Sequence, residues 1–235
     1  SLVRTSLLLA AWLLLSLGAC GGGGGDEGGG GGDPTPEPEP EILFEDTFDG
    51  PYPGGTWIVP GPGGAIVDVD GEPALELDGI EIDASAPPFQ RDGKLLQFFV
   101  FFAWPEGCPA GAPGSLRAIQ IVDTDTDVVV ASLQVVVNEA CSNLEETYVI
   151  HPDGAASPNS IEDTTDWVPD DFGYDFHDYG FVIEEDGTAF WSVDGEVVVE
   201  TTVPFTPANL KLRLGGQGEP SLDPVLFDDI VVQRQ

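Results

Sequence analysis

Ten consecutive residues, Leu95–Trp104, read Leu-Leu-Gln-Phe-Phe-Val-Phe-Phe-Ala-Trp, with one polar side chain among them. A run of that length is too short to span a bilayer and too rich in aromatic and branched residues for a surface helix, so it reads as a strand that needs cover on both faces. Its neighbours have the same character. Short runs of Val, Ile, Phe and Leu recur between clusters of Gly, Pro and Asp, and no stretch offers three turns of amphipathic helix. The pattern predicts strands over Ile42–Phe48, Trp57–Val59, Ala65–Val69, Ala74–Leu77, Ile80–Asp83, Leu95–Trp104 and Leu116–Val122. It predicts further strands over Val128–Val137, Thr147–Ile150, Tyr179–Glu185, Ala189–Val193, Val197–Thr201, Asn209–Leu214 and Val225–Gln233. Asp186-Gly187 and Asp194-Gly195 sit between apolar alternations and mark two hairpins, because both residue types accept positive φ at the turn. Regular turns without helices predict an all-β domain: a two-sheet antiparallel β-sandwich of jelly-roll type.

The chain before that domain cannot build a core. Arg4 supplies positive charge, Leu7–Leu17 an apolar stretch, and Gly18-Ala19 small residues before Cys20. This layout resembles a bacterial lipoprotein signal, which implies lipid attachment at Cys20, removal of residues 1–19 and a bacterial cell envelope location, on the outer membrane or cell surface. The glycine tract Gly21–Gly32 is a flexible coil, and the Pro/acid run Asp33–Glu41 is a stiffer extended spacer. Residues 20–41 would hold the domain, residues 42–235, away from a membrane to which the lipid anchors it.

Charge excludes several partners. The chain has 42 Asp and Glu against seven Lys and Arg, a formal net charge of −35. Such a surface repels nucleic acid and anionic lipid headgroups, and is suited to a saline habitat. With Cys20 assigned to lipid, Cys108 and Cys141 are left as a pair in an oxidising compartment, where a disulfide is the expectation.

Three stretches carry a family resemblance. They are the opening Leu43-Phe44-Glu45-Asp46-Thr47-Phe48-Asp49, the run Phe176-His177-Asp178-Tyr179 followed by Phe190-Trp191-Ser192-Val193-Asp194-Gly195, and the closing Leu226-Phe227-Asp228-Asp229-Ile230-Val231-Val232. Together they resemble the concanavalin A-like lectin/glucanase superfamily, which includes laminarinase-type family 16 glycoside hydrolases. The resemblance implies a jelly roll that handles carbohydrate. Retaining hydrolases of that kind carry Glu-x-Asp-x-x-Glu on a strand, with two carboxyl groups close enough for nucleophilic and acid/base roles. Glu76-Leu77-Asp78-Gly79-Ile80-Glu81 has that spacing, which would make Glu76 the nucleophile, Asp78 its helper and Glu81 the acid/base. The segment precedes the long apolar strand, whereas the family places its motif after it, and Asp78-Gly79 is itself a turn dipeptide. At the family's position stands Arg117-Ala118-Ile119-Gln120-Ile121-Val122-Asp123, without a carboxylate pair.

The expectation is therefore a non-catalytic, lectin-like domain acting as a monomer on a neutral polysaccharide. The alternatives are a glucanase-like hydrolase and a structural or protein-binding surface module. Sugar sites place aromatic faces beside polar groups. Trp167 and Tyr174, in an acidic aromatic loop, are the first candidates, with Trp104 and Trp57 at strand ends next. The resemblance also implies a structural calcium ion tying the first and last strands, for which Asp229, Asp46 and the turn Asp70-Gly71 are the oxygen donors. Asp123-Thr124-Asp125-Thr126-Asp127 looks like the start of a calcium loop but lacks its later ligands, and reads as an acidic hairpin tip.

Overall fold

The structure, a computed structural model, describes residues 39–103, 114–137, 144–154, 160–167, 176–215 and 225–235. Among these there are strands and turns and no helix. In chain order the strands are β1 (Glu41–Asp46), β2 (Trp57–Ile58), β3 (Gly64–Val69), β4 (Glu72–Leu77), β5 (Glu81–Ala84), β6 (Phe89–Gln90), β7 (Leu96–Ala103) and β8 (Gly114–Asp123). They continue as β9 (Val128–Val137), β10 (Leu144–Ile150), β11 (Ile161–Trp167), β12 (His177–Ile183), β13 (Ala189–Val193), β14 (Glu196–Glu200), β15 (Asn209–Gly215) and β16 (Val225–Arg234).

Two sheets result. The first runs β14-β13-β12-β7-β16-β4-β3, with β1 also paired to β16; the second runs β11-β10-β9-β8-β15-β5-β2, with β6 also paired to β15. Every pairing is antiparallel, as the jelly-roll expectation requires. The residues from Pro40 onward form one compact unit.

The alternation of side chains decides what faces inward. In β7, Leu96, Phe98, Val100 and Phe102 join the core while Phe99 and Phe101 lie half-buried on the outer face. The strand is the middle one of its sheet, between β12 and β16. Trp191 is fully buried and its indole N–H donates to the Val149 carbonyl (3.2 Å), tying the first sheet to the second. Both Asp-Gly hairpins form, with Gly187 at φ 97° in one and Asp194 and Gly195 at 50° and 83° in the other. The start of the His177 strand is locked to the second hairpin: His177 Nδ1 lies 2.7 Å from Asp194 Oδ2, and the Asp178 backbone N–H donates to Asp194 Oδ1 (3.0 Å).

One polar group stands inside the sandwich. Glu146 on β10 is fully buried and accepts hydrogen bonds from the hydroxyls of Tyr148 (2.5 Å) and Tyr179 (2.6 Å). Tyr179 belongs to the first sheet, so the carboxylate is bonded across both layers. Burial, and then the negative charge of Glu146, push both phenols far above their ordinary range.

Candidate functional site

The chain passes from one sheet to the other between Leu77 and Glu81. Leu75 and Leu77 enter the core, so Glu76 faces out from the first sheet; Ile82 enters it from the other side, so Glu81 faces out from the second. Asp78 lies in the exposed turn between them, with Gly79 at φ 64°. The structure thus sets Glu76 and Glu81 on opposite faces of the sandwich. Two carboxyl groups on opposite faces cannot flank one glycosidic bond, which removes the hydrolytic assignment of Glu76, Asp78 and Glu81.

The central strand of the second sheet, β8, presents something else. Ile119 and Ile121 enter the core and turn Gln120 outward; Leu116 and Ala118 do the same for Arg117. Register extends that position into a row across the seven strands of the sheet's path, leaving out β6: Ile58, Asp83, Arg213, Gln120, Ser132, Val149 and Glu162. A parallel row runs Arg117, Gln134, Thr147 and Thr164. Gln120 is only 1% exposed, Ser132 is also buried, and Arg117 is exposed. The outer face of this sheet therefore has a polar floor.

That floor holds three of the chain's seven cations: Arg117, Lys211 and Arg213. Two are neutralised in place. Arg213 Nε donates to Asp83 Oδ1 at 2.6 Å, and Lys211 Nζ to Asp83 Oδ2 at 2.9 Å and Asp127 Oδ1 at 3.4 Å. Burial raises the Asp83 carboxyl, but the hydrogen bonds from Arg213 and Lys211 outweigh it and hold the group below the usual carboxylate range. Gln120 Nε2 donates to Glu81 Oε1 (2.9 Å) and spans to the Gly215 carbonyl (3.4 Å). Asp83 is an ionised anchor and cannot serve as a proton donor near neutral pH. Fixed donors and acceptors side by side can bind hydroxyl groups. At the other side of this sheet His151, bonded to Ser160 Oγ (2.6 Å), is held below its ordinary range by burial and by Arg117.

Trp57 is not a sugar platform. It is buried in the core, edge-on to Phe44 (5.2 Å) and stacked on Phe48 (6.3 Å), and its indole N–H donates to Asp46 Oδ2 (2.8 Å). Its place at a strand end suggested exposure; the aromatic ring fills the core instead. Trp104 and Tyr174 lie outside the described residues, as do Cys20, Cys108 and Cys141, and so does the side chain of Trp167, the last residue of β11.

Asp46 and Asp229, two of the residues expected to hold calcium, take part in hydrogen bonds within the protein. Asp46 spends one carboxylate oxygen on the Phe48 N–H (2.9 Å) and the other on Trp57. Asp229 sits at φ 38° in the β16 irregularity, its N–H donating to Asp228 Oδ1 (2.9 Å). Asp70 and Gly71 form the β3–β4 turn, closed by Asp68 Oδ1 on the Gly71 N–H (3.0 Å). Among the described residues no three His, Cys, Asp or Glu converge as metal ligands. The Asp123–Asp127 segment is a hairpin tip, with Asp123 accepting from the Asp125 N–H (3.0 Å) and the Thr126 hydroxyl (2.8 Å).

Asp83, Lys211 and Arg213 were missed by sequence reasoning although a signal was present. Asn209-Leu210-Lys211-Leu212-Arg213-Leu214 alternates strictly and puts two rare cations on one face, opposite a strand, Glu81-Ile82-Asp83, that puts two acids on the same face.

No protein-family model matches the sequence, and neither does any curated protein. Solved structures do match in shape. An endo-1,3-beta-glucanase from Streptomyces sioyaensis superposes with a TM-score of 0.57 at 17% identity, over 86% of this chain and 99% of that one. The CBM2 module of the evolved Dit protein of Lactobacillus casei BL23 phage J-1 gives 0.61 at 11% identity, over 83% of this chain and 95% of the module. An alginate lyase from Pseudomonas aeruginosa gives 0.54 at 10% identity, over 74% and 87%. Identities this low carry the fold alone, and that fold is the concanavalin A-like jelly roll.

Proposed function

We propose that this chain is a non-catalytic carbohydrate-binding domain that takes a neutral polysaccharide on the outer face of its second sheet. The observation that carries the reading is the partly exposed end of the seven-strand row, where Asp83, Arg213 and Glu81 stand beside Ile58 with the charges of Asp83 and Arg213 already paired. Planar amide, guanidinium and carboxylate groups held in place recognise hydroxyls without reorganising. Neutral ligands are favoured because Asp83 and Asp127 cancel Lys211 and Arg213, and the chain as a whole carries −35. The jelly rolls it superposes on include a glucanase, a CBM2 module and an alginate lyase, which supports a glycan as the class of ligand. The Cys20 junction adds a bacterial envelope location, with lipid at that cysteine and the spacer displaying the domain as a monomer.

The test is affinity electrophoresis of the protein in gels containing β-glucan, other neutral polysaccharides or alginate, with reducing ends assayed in parallel. Retardation by a neutral polymer, none by alginate and no new reducing ends are the expected result. A blank panel overturns carbohydrate binding, and released reducing ends overturn the non-catalytic assignment. Labelled fatty acid incorporated into the parent and lost in Cys20→Ser checks the anchor.

A further inference from the structure

The polar row ends in a cavity of about 390 Å³ at the outermost strand of the second sheet, and that cavity has two unlike walls. Ile58, Pro60 and Ile80 make one of them, with Ile58 60% exposed although it belongs to a strand. Glu81, Asp83 and Arg213 make the other. Resting on the carbohydrate reading, we infer that this cavity seats the terminal sugar of a glycan chain, so that the protein recognises chain ends and not the run of the polymer.

The polar wall has one open pair. Arg213 uses Nε and Nη2 on Asp83 (2.6 and 3.3 Å), and Glu81 uses Oε1 on Gln120 (2.9 Å). The remaining atoms, Arg213 Nη1 and Glu81 Oε2, face each other at 4.0 Å. That is too far for a hydrogen bond, and a hydroxyl oxygen to one side of the line joining them can lie about 2.8 Å from both. Such an oxygen accepts from Nη1 and donates to Oε2, which is the use a sugar hydroxyl makes of a paired donor and acceptor. The apolar wall meets the C–H face of a pyranose ring, doing with aliphatic side chains what an aromatic platform does elsewhere.

The lip of the cavity is closely packed. The turn Asp78–Ile80 that forms its lip is clamped by two glycines. A Cβ on Gly215 would stand 2.3 Å from the Ile80 carbonyl, and one on Gly63 would stand 2.6 Å from that of Asp78. The Asp78 N–H donates to the Gly63 carbonyl at 2.7 Å, closing the contact. Because β2 is the last strand of the sheet path, a chain lying along the row reaches its end at Ile58 and Pro60.

The experiment is calorimetric titration of the full chain with methyl glycosides of glucose, galactose and mannose, with β-1,3-gluco-oligosaccharides of increasing length, and with laminarin. End recognition predicts that affinity changes less than about threefold beyond the disaccharide and that one protein binds per oligosaccharide chain at every length. Ile58→Ala, at an exposed position that folding does not depend on, lowers affinity roughly tenfold. Affinity that climbs with each added unit, or laminarin binding that Ile58→Ala leaves intact, overturns end recognition and leaves the carbohydrate reading standing. Failure of every probe, laminarin included, overturns end recognition, and the carbohydrate reading falls with it only if the gel panel of neutral polysaccharides is also blank.

Discussion

Asp178→Asn should make the protein more stable at neutral pH and change nothing in acid. Asp178 lies on β12 opposite Phe101 of β7, and its Oδ1 is buried without a hydrogen-bond partner. Burial, and then the nearby charge of Asp194, push its carboxyl from an ordinary 3.8 up to about 6. Asp194 does not yield its own charge. The hydrogen bond from His177 outweighs its burial and, with the bond from the Asp178 N–H, holds it below the usual range. At pH 7 the fold therefore carries an ionised Asp178, its Oδ1 buried, beside an ionised and partly exposed Asp194.

The direction follows from linkage. A folded-state pKa above the unfolded one means that the group's contribution is fully present below pH 3.8 and is lost as pH rises through about 6. At about 1.36 kcal/mol per pH unit, the loss at pH 7 is on the order of 3 kcal/mol. An asparagine removes the charge but still buries an amide, so the expected net gain is about 2 kcal/mol. For a domain of this size that corresponds to a Tm increase of roughly 4–8 °C. Thermal unfolding of parent and variant at pH 7 and near pH 4, each pair in identical buffer, reads it directly. A variant no more stable at pH 7, or one whose advantage persists unchanged at pH 4, refutes the account of Asp178 as a buried charge.

Other perturbations test the remaining parts of the structure. Gly215→Ala meets the Ile80 carbonyl at 2.3 Å with φ at 73°, and should cost about 2–4 kcal/mol, seen as a lower urea midpoint at unchanged m. Tyr179→Phe removes one of two hydroxyls from the buried Glu146 and should cost about 2 kcal/mol by the same assay; a neutral result would mean that Glu146 is not held across the sheets. With a net charge of −35, added sodium chloride should raise Tm by screening self-repulsion, and a flat response would show that the acidic surface does not strain the fold. If calcium ties the first and last strands, dialysis against EDTA should lower Tm and added calcium should restore it; an unchanged Tm would refute that ion.

The fold was legible because strands write themselves locally. Val128–Val137 and Ala189–Val193 were bounded to the residue, since each is an apolar run stopped by turn chemistry at both ends. Two strands were not foreseen. Phe89–Gln90 is too short to show a period, and Ile161–Trp167 is Ile-Glu-Asp-Thr-Thr-Asp-Trp, whose polar sequence reads as a loop. The latter is the edge of the second sheet, paired on one side only, and an edge strand of an acidic protein has little reason to be apolar. Composition hides exactly those strands whose pairing is made by a neighbour and not by their own side chains.

The site was less legible because it is assembled by register. Asp83 and Arg213 are 130 residues apart and meet only through the pairing of β5 with β15, while Gln120 joins them through the pairing of β15 with β8. A motif search favours residues close in sequence, so it found Glu76 and Glu81, which the crossing between the sheets then separates. The same crossing explains what Glu81 does instead. By leaving the first sheet at Leu77 and entering the second at Glu81, the chain delivers one acid to the polar row and turns its lip, Asp78–Ile80, against Gly63 and Gly215. The crossing that parts Glu76 from Glu81, and so undoes the pair their spacing suggested, is the same crossing that walls the cavity beside Ile58.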